Sequence, residues 1–208
     1  MANDNVPRGL VPLNWPNMPV HAYRVSTAAD IYLGQPVQSP AAGYVVGIGT
    51  MTGVTQCIGV AVGFAGTLKR GLATNDPFLD VSDLTPPTPA SDTGDRYVFV
   101  ADNPNQEFVA QEDTGGTALT LAEAGAAVDM LFRGAGANVV TGNDDTGWAT
   151  SEIDASSVVT TTGAFLRLSR LHDVVNADGT ENAVGDFGKW IVTILHHQNK
   201  GAPVLPIV

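Results

Sequence analysis

The sequence predicts an all-β protein: a compact β-barrel or sandwich with extended N- and C-terminal arms and at most one short helix. Three observations lead there. Short runs of β-branched and aromatic residues recur between Gly, Asn and Asp turns. Prolines crowd both ends of the 208-residue chain, where they forbid helix and interrupt sheet ladders. One segment alone, 117–124, has the look of a helix, of about two turns. The expected organisation is an N-terminal arm over 1–22, a single β-rich domain over 23–198 and an apolar tail over 199–208.

The arm places Pro7, Pro12, Pro16 and Pro19 among Val6, Leu10, Val11, Leu13, Trp15, Met18 and Val20. That is more apolar side chain than a solvated linker carries. Two placements follow, one folded back on its own domain and one laid across another subunit. From Tyr23 onward short strands are expected at 30–37, 44–49 and 58–64. Residues 74–95, rich in Pro and Asp, form a long surface loop of the kind that tends to be functional or mobile. Arg96 to Ala101 and Glu107 to Gln111 flank an Asp-Asn-Pro-Asn turn and are expected to pair as a hairpin. Strands at 128–132, 163–171 and 189–196 complete the set. Leu166-Arg167-Leu168-Ser169 alternates cleanly, one face buried and one wet. Trp190 to Leu195 is apolar on both faces, so it is a central strand or one covered by a partner. The tail, with Pro203, Val204, Leu205, Pro206 and Ile207, repeats the composition of the arm, and apolar termini are usually tied down.

Charge narrows the function. Only 15% of residues are charged, and the net charge is −11 with ten Lys and Arg in total. Nucleic-acid binding needs cations that displace counterions from phosphates, so no nucleic-acid partner is expected. The opening Met1-Ala2-Asn3-Asp4-Asn5 has no signal-peptide character, which fits a cytosolic site of synthesis. The longest apolar stretch, 58–64, is too short to span a bilayer, and no membrane partner is expected. Cys57, the single cysteine, has no cationic neighbour to activate it and is expected to be a small buried hydrophobe.

No catalytic, cofactor or metal site is expected. His21, His172, His196 and His197 show no metal-ligand spacing, and adjacent strand residues such as His196 and His197 point to opposite faces. They are expected to be surface histidines. Nucleophile-elbow, phosphate-loop and dinucleotide patterns are missing. Asn143-Asp144-Asp145 and the run from Asn176 to Glu181 hold oxygen ligands but match turn chemistry better than a calcium loop. Glu107, Glu112, Asp113 and Glu123 would matter as glycosidase carboxylates only if two of them met across a cleft.

Several strings, in the same order, resemble structural proteins of tailed phages. They are Val6 to Pro12, Tyr97 to Pro104, Phe108 to Asp113, Gly142 to Gly147, Ser151 to Ser156, Leu166 to Leu168 and Gly188 to Val192. A looser likeness, carried by Ile31 to Val37, Gly43 to Val45 and Ile58 to Val62, is to capsid-stabilising decoration proteins of the lambda type. The resemblance implies a decoration (cement) protein that binds the outside of the major capsid protein shell as a homotrimer, at three-fold or quasi-three-fold positions of the virion. In that setting Leu10, Val11, Leu13 and Trp15 of the arm, with Val204, Leu205 and Ile207 of the tail, are the expected subunit or capsid contacts. The alternative is a head-fibre or adhesin module on which Trp15, Trp148 or Trp190 stacks against host glycan.

Overall fold

The computed structural model describes residues 3–14, 17–25, 30–39, 44–49, 51, 55–65, 97–132, 142–143, 146–159 and 163–200. Within them the chain is built from strands, every named pair antiparallel. The first sheet runs β1 (Val11–Pro12), β7 (Glu107–Gln111), β14 (Lys189–Ile194), β13 (Leu166–Leu171) and β8 (Ala127–Val128). The second runs β2 (His21–Arg24), β6 (Tyr97–Ala101), β5 (Gly59–Ala65), β3 (Pro36–Gln38) and β4 (Val46–Gly47). Two short ladders join β9 (Met130–Phe132) to β12 (Ser151–Ile153) and β10 (Gly142–Asn143) to β11 (Trp148–Ala149). A bridge between Val25 and Val45 draws the margins of the second sheet together at one corner without closing a barrel.

Alternation along each strand decides which core it feeds. Phe108 and Ala110 of β7, Trp190, Val192 and Ile194 of β14, and Leu166 and Leu168 of β13 point into the main core. There they meet Val60 and Val62 from one face of β5. Ala61, Val98 and Val100 face the other way, into a second core with Val25, Ile31, Val37, Val45 and Ile58. β5 is therefore buried on both faces, and it is apolar at every position from Val60 to Phe64 for that reason. β14 lies between β7 and β13, so the doubly apolar strand is a central one.

Four local expectations are corrected. β6 and β7 do not pair. They belong to different sheets, and residues 102–106 carry the chain across from one to the other. The strand expected at 128–132 is two strands, broken at Asp129, whose carboxylate accepts from the Phe165 N–H at 2.9 Å and whose own N–H donates to Ser157 Oγ. The two-turn helix over 117–124 is a single 3-10 turn, Leu121–Glu123, with Thr120 and Glu123 forming a reciprocal capping box; a second such turn spans Ala155–Ser157.

The fourth correction concerns the arm. Residues 10–13 are part of the body: Val11 pairs with Val109, Pro12 with Phe108, and Leu10 is fully buried in the main core. Pro12 is tolerated because β1 is an edge strand. The arm is admitted at a crossing of two glycines, where Leu10 N–H donates to the Gly34 carbonyl at 2.9 Å. Gly9 and Gly34 both have positive φ, and a Cβ on either would strike the opposite backbone. Leu10 thus leaves the set of inter-subunit contacts. Leu13 is half-buried, its N–H held by the Glu107 carbonyl at 3.0 Å, and Val11 is half-buried. Trp15, Val204, Leu205 and Ile207, and the 74–95 loop, lie outside the described residues.

Candidate functional site

Inward alternation on β7 runs Phe108, Ala110 and then Glu112, which puts a carboxylate inside the main core. Glu112 is fully buried, and both of its oxygens are engaged: Leu119 N–H donates to Oε1 at 2.6 Å and Trp190 Nε1–H to Oε2 at 3.1 Å. Burial pushes its pKa up to about 7, against the lowering effect of these two bonds. The side chain ties the 113–119 loop to the central strand.

Next to it, Asp113 accepts from the Ala155 N–H at 3.1 Å, and burial again raises its pKa. Glu152, buried on β12, accepts from Gln111 Nε2 at 2.7 Å. Gln111 in turn donates to Asn5 Oδ1 at 3.2 Å and accepts from the Val6 N–H at 2.9 Å. Asn5, Asp113, Glu152, Leu131 and Phe187 border an open cleft of about 510 Å³. The four carboxylates considered for glycoside hydrolysis do not converge on it. Glu107 is paired with Arg170 at 3.2 Å, Glu112 is sealed in the core, and Glu123 closes the 3-10 turn, where its bonds to Thr120 lower its pKa. Of those four only Asp113 reaches the cleft, where its carboxylate neighbour is Glu152.

A second cluster sits at the margin of the second sheet. Asp102, nearly buried just beyond β6, receives Tyr23 Oη–H at 2.6 Å and His21 Nδ1 at 2.9 Å. Desolvation, then the Asp102 carboxylate, pushes the Tyr23 phenol up to about 12. A group held that firmly protonated is a donor, not a nucleophile.

The histidine expectation fails at one position. β14 ends at Ile194, the chain bends, and His197 turns inward to bridge with Cys57, so it is buried and its pKa lowered chiefly by desolvation. Cys57 is buried as well, and desolvation pushes its thiol up to about 12, which removes it as a nucleophile. Among the described residues no group of three His, Cys, Asp or Glu side chains is placed to hold a metal ion. No helix among them is long and apolar enough to cross a membrane.

The third cluster is a knot at the N-terminus. Asn3 is almost buried and uses its whole amide: Nδ2 donates to the carbonyls of Ala183 and Asp186 at 2.9 and 3.0 Å, and Oδ1 accepts from the Ala183 N–H at 3.1 Å. Asp4 accepts from the Ala177 N–H at 2.6 Å, and Lys189 Nζ donates to Asn176 Oδ1 at 2.8 Å. The loop that looked like a possible calcium turn, from Asn176 to Glu181, is thus stitched to the start of the chain; Asp178 caps its own turn at Thr180. Exposed valines adjoin residues of the knot along the chain: Val6 (49% exposed), Val175 (61%) and Val184 (44%).

Of the three tryptophans weighed for glycan stacking, Trp190 is fully buried and is corrected to a core residue. Trp148 is half-exposed, with the Arg8 guanidinium 5.7 Å from its ring centroid. The residues that border an adjoining cleft with Trp148 are apolar: Val11, Pro12, Leu33, Gly34, Ala61 and Val62.

Fold and clusters together define an all-β, two-sheet body whose buried acids brace loops. Comparison with known proteins finds no matching family model, no matching characterised relative and no matching solved structure.

Proposed function

We propose that this chain is a decoration protein of a tailed-phage capsid, bound as a homotrimer to the outside of the major capsid shell. The observation that carries the reading is a set of exposed valines, Val6, Val175 and Val184, on backbone segments tied down by the hydrogen bonds of Asn3, Asp4 and Asn176. Exposed apolar side chains held rigidly mark protein interfaces, because burying them costs little ordering entropy. Symmetry then multiplies each contact threefold, so modest contacts add to a durable hold. A protein that binds only the assembled shell stabilises it by mass action. The low charge density of the surface agrees with a life spent against neighbours.

A glycan-binding module is less well supported. Among the described residues the cleft wall beside Trp148 is apolar apart from the indole itself, and the Arg8 guanidinium already covers that ring, so a sugar's hydroxyls would lose water with few partners to replace it.

The test is sedimentation of purified protein with emptied capsids. Changing Val175 and Val184 together to Asp should weaken shell binding at least about tenfold while circular dichroism stays that of the parent. Undiminished binding by the folded double variant would reject these valines as the contact.

A further inference from the structure

We propose that the outer face of the first sheet carries a binding pocket for a small aliphatic carboxylate. The pocket, of about 330 Å³, is bordered by Val11, Val109 and Val174 together with Arg8, His172 and Lys189. Its floor follows from register. Phe108 and Ala110 point into the main core, so Val109 points out, and its cross-strand partners Val11 on β1 and Ile191 on β14 share that face. Two residues further on, Gln111 stands opposite Lys189 on the same face.

The walls are pre-formed. Asp4 accepts from the Ala177 N–H at 2.6 Å, which joins the N-terminal segment to residues 172–177, and Val6 N–H donates to Gln111 Oε1 at 2.9 Å. His172 N–H donates to the Lys189 carbonyl at 2.8 Å. A pocket held in this way needs little ordering when a ligand enters. Its volume lies at the small end of ligand-holding clefts, about 300–1,000 Å³, so it suits a small molecule.

Charge decides the class of ligand. The chain has a net charge of −11 and only ten Lys and Arg, yet two of them border this one pocket. Neither forms an ion pair with a described residue. Lys189 Nζ is held at 2.8 Å by the amide oxygen of Asn176, a neutral acceptor, and the Arg8 guanidinium lies over the Trp148 ring. Burial first, then the charges of Arg170 and Lys189, lower the pKa of His172 against the opposing pull of Asp173, so at neutral pH it is an uncharged hydrogen-bonding group. A monoanion gains a charge-assisted bond from Lys189 while its aliphatic part covers the valines. A compact hydrated oxyanion would leave the valines bare, and a wholly apolar ligand would cover the ammonium without a counter-charge.

This inference goes beyond the capsid reading and does not rest on it. The test titrates isocaproate into the full chain and follows it by nuclear magnetic resonance. The methyl signals of Val11, Val109 and Val174 and the ring protons of His172 should shift together, with a dissociation constant of roughly millimolar order, the scale a ligand of this size allows. Isocaproamide, which has the same shape without the charge, should bind at least about tenfold more weakly. Lys189→Met should weaken binding of the acid about tenfold and leave the amide unaffected. Arg167→Gln, on the same sheet but outside the pocket, should change neither. Lys189 also steadies Asn176, so should its variant fail to fold, Arg8→Gln at an exposed side chain takes its place, with an expected loss of about threefold. Equal binding of acid and amide, or inorganic phosphate binding as tightly as the acid, would overturn the proposal. So would shifts confined to residues elsewhere, or no shift at all in the folded protein.

Discussion

The two sheets have the same number of strands but are held together differently. The first sheet is braced from inside. Glu112 is sealed in its core, Asp113 and Glu152 hold adjoining loops, and the Asn3 knot closes its outer end. In the second sheet the corresponding polar cluster lies at the margin, where Asp102 is shared between Tyr23 and an exposed His21. The contrast teaches that chemically similar carboxylates carry different loads. A buried acid whose two donors are themselves fixed in the interior is architecture, and its loss strands those donors; Asp102 is nearly buried too, but its partner His21 is exposed and can turn to water.

That contrast is breakable by mutation. Glu112→Ala should be the most damaging single change, costing about 3–5 kcal/mol, because it leaves the Leu119 N–H and the Trp190 indole N–H buried without acceptors and opens a void. Urea unfolding reads it directly. Leu10→Ala should follow at about 2–5 kcal/mol, the range for emptying a core leucine site, and that loss would establish the arm as part of the body. Deletion of residues 1–20 should accordingly destabilise the domain, not merely detach it from a partner. Asn3→Ala should cost about 1–3 kcal/mol and speed hydrogen exchange in residues 176–186 before the rest of the sheet. Tyr23→Phe at the open margin should cost no more than about 1.5 kcal/mol.

A pH series sharpens the same comparison. The folded pKa of Glu112 is raised from 4.5 to about 7. Its contribution is therefore fully present below about pH 4.5 and is lost as pH rises through about 7. His197 and His172, with lowered pKa values, act in the opposite sense: their contribution is present above the usual histidine value of 6.5 and fades as pH falls. Glu112→Gln should flatten the alkaline limb of the stability curve and leave the acid limb in place. If both limbs survive unchanged, burial of Glu112 does not perturb its ionisation.

Much of the fold was legible because strand periodicity is local. The all-β class, the centrality of the strand at Trp190 and the burial of Cys57 all follow from residues within a few positions of one another. What misled was pairing. Tyr97 to Ala101 and Glu107 to Gln111 have hairpin spacing, but each finds its partners more than thirty residues away, and nothing in a five-residue connector reports that. The arm's two placements stayed open for a related reason. Its prolines exclude helix but leave a two-residue edge strand open, and the signal for docking was a glycine pair, Gly9 and Gly34, separated by a stretch that hides the crossing. Glu112 could have been found: it continues the inward alternation of Phe108 and Ala110. His197 could not, since the bend after Ile194 that turns it inward leaves no pattern in the residues around it.

The central claim is that this braced body works on the outer surface of a capsid. Cryo-electron microscopy of the intact particle, with the protein located by a fused tag and by fitting the two-sheet body to density, tests it most directly. The account predicts three-fold clusters of density on the exterior of the shell, with Val6, Val175 and Val184 turned towards the major capsid protein. Density at the tail or at a fibre tip, or particles whose shell carries none of this protein, would contradict it.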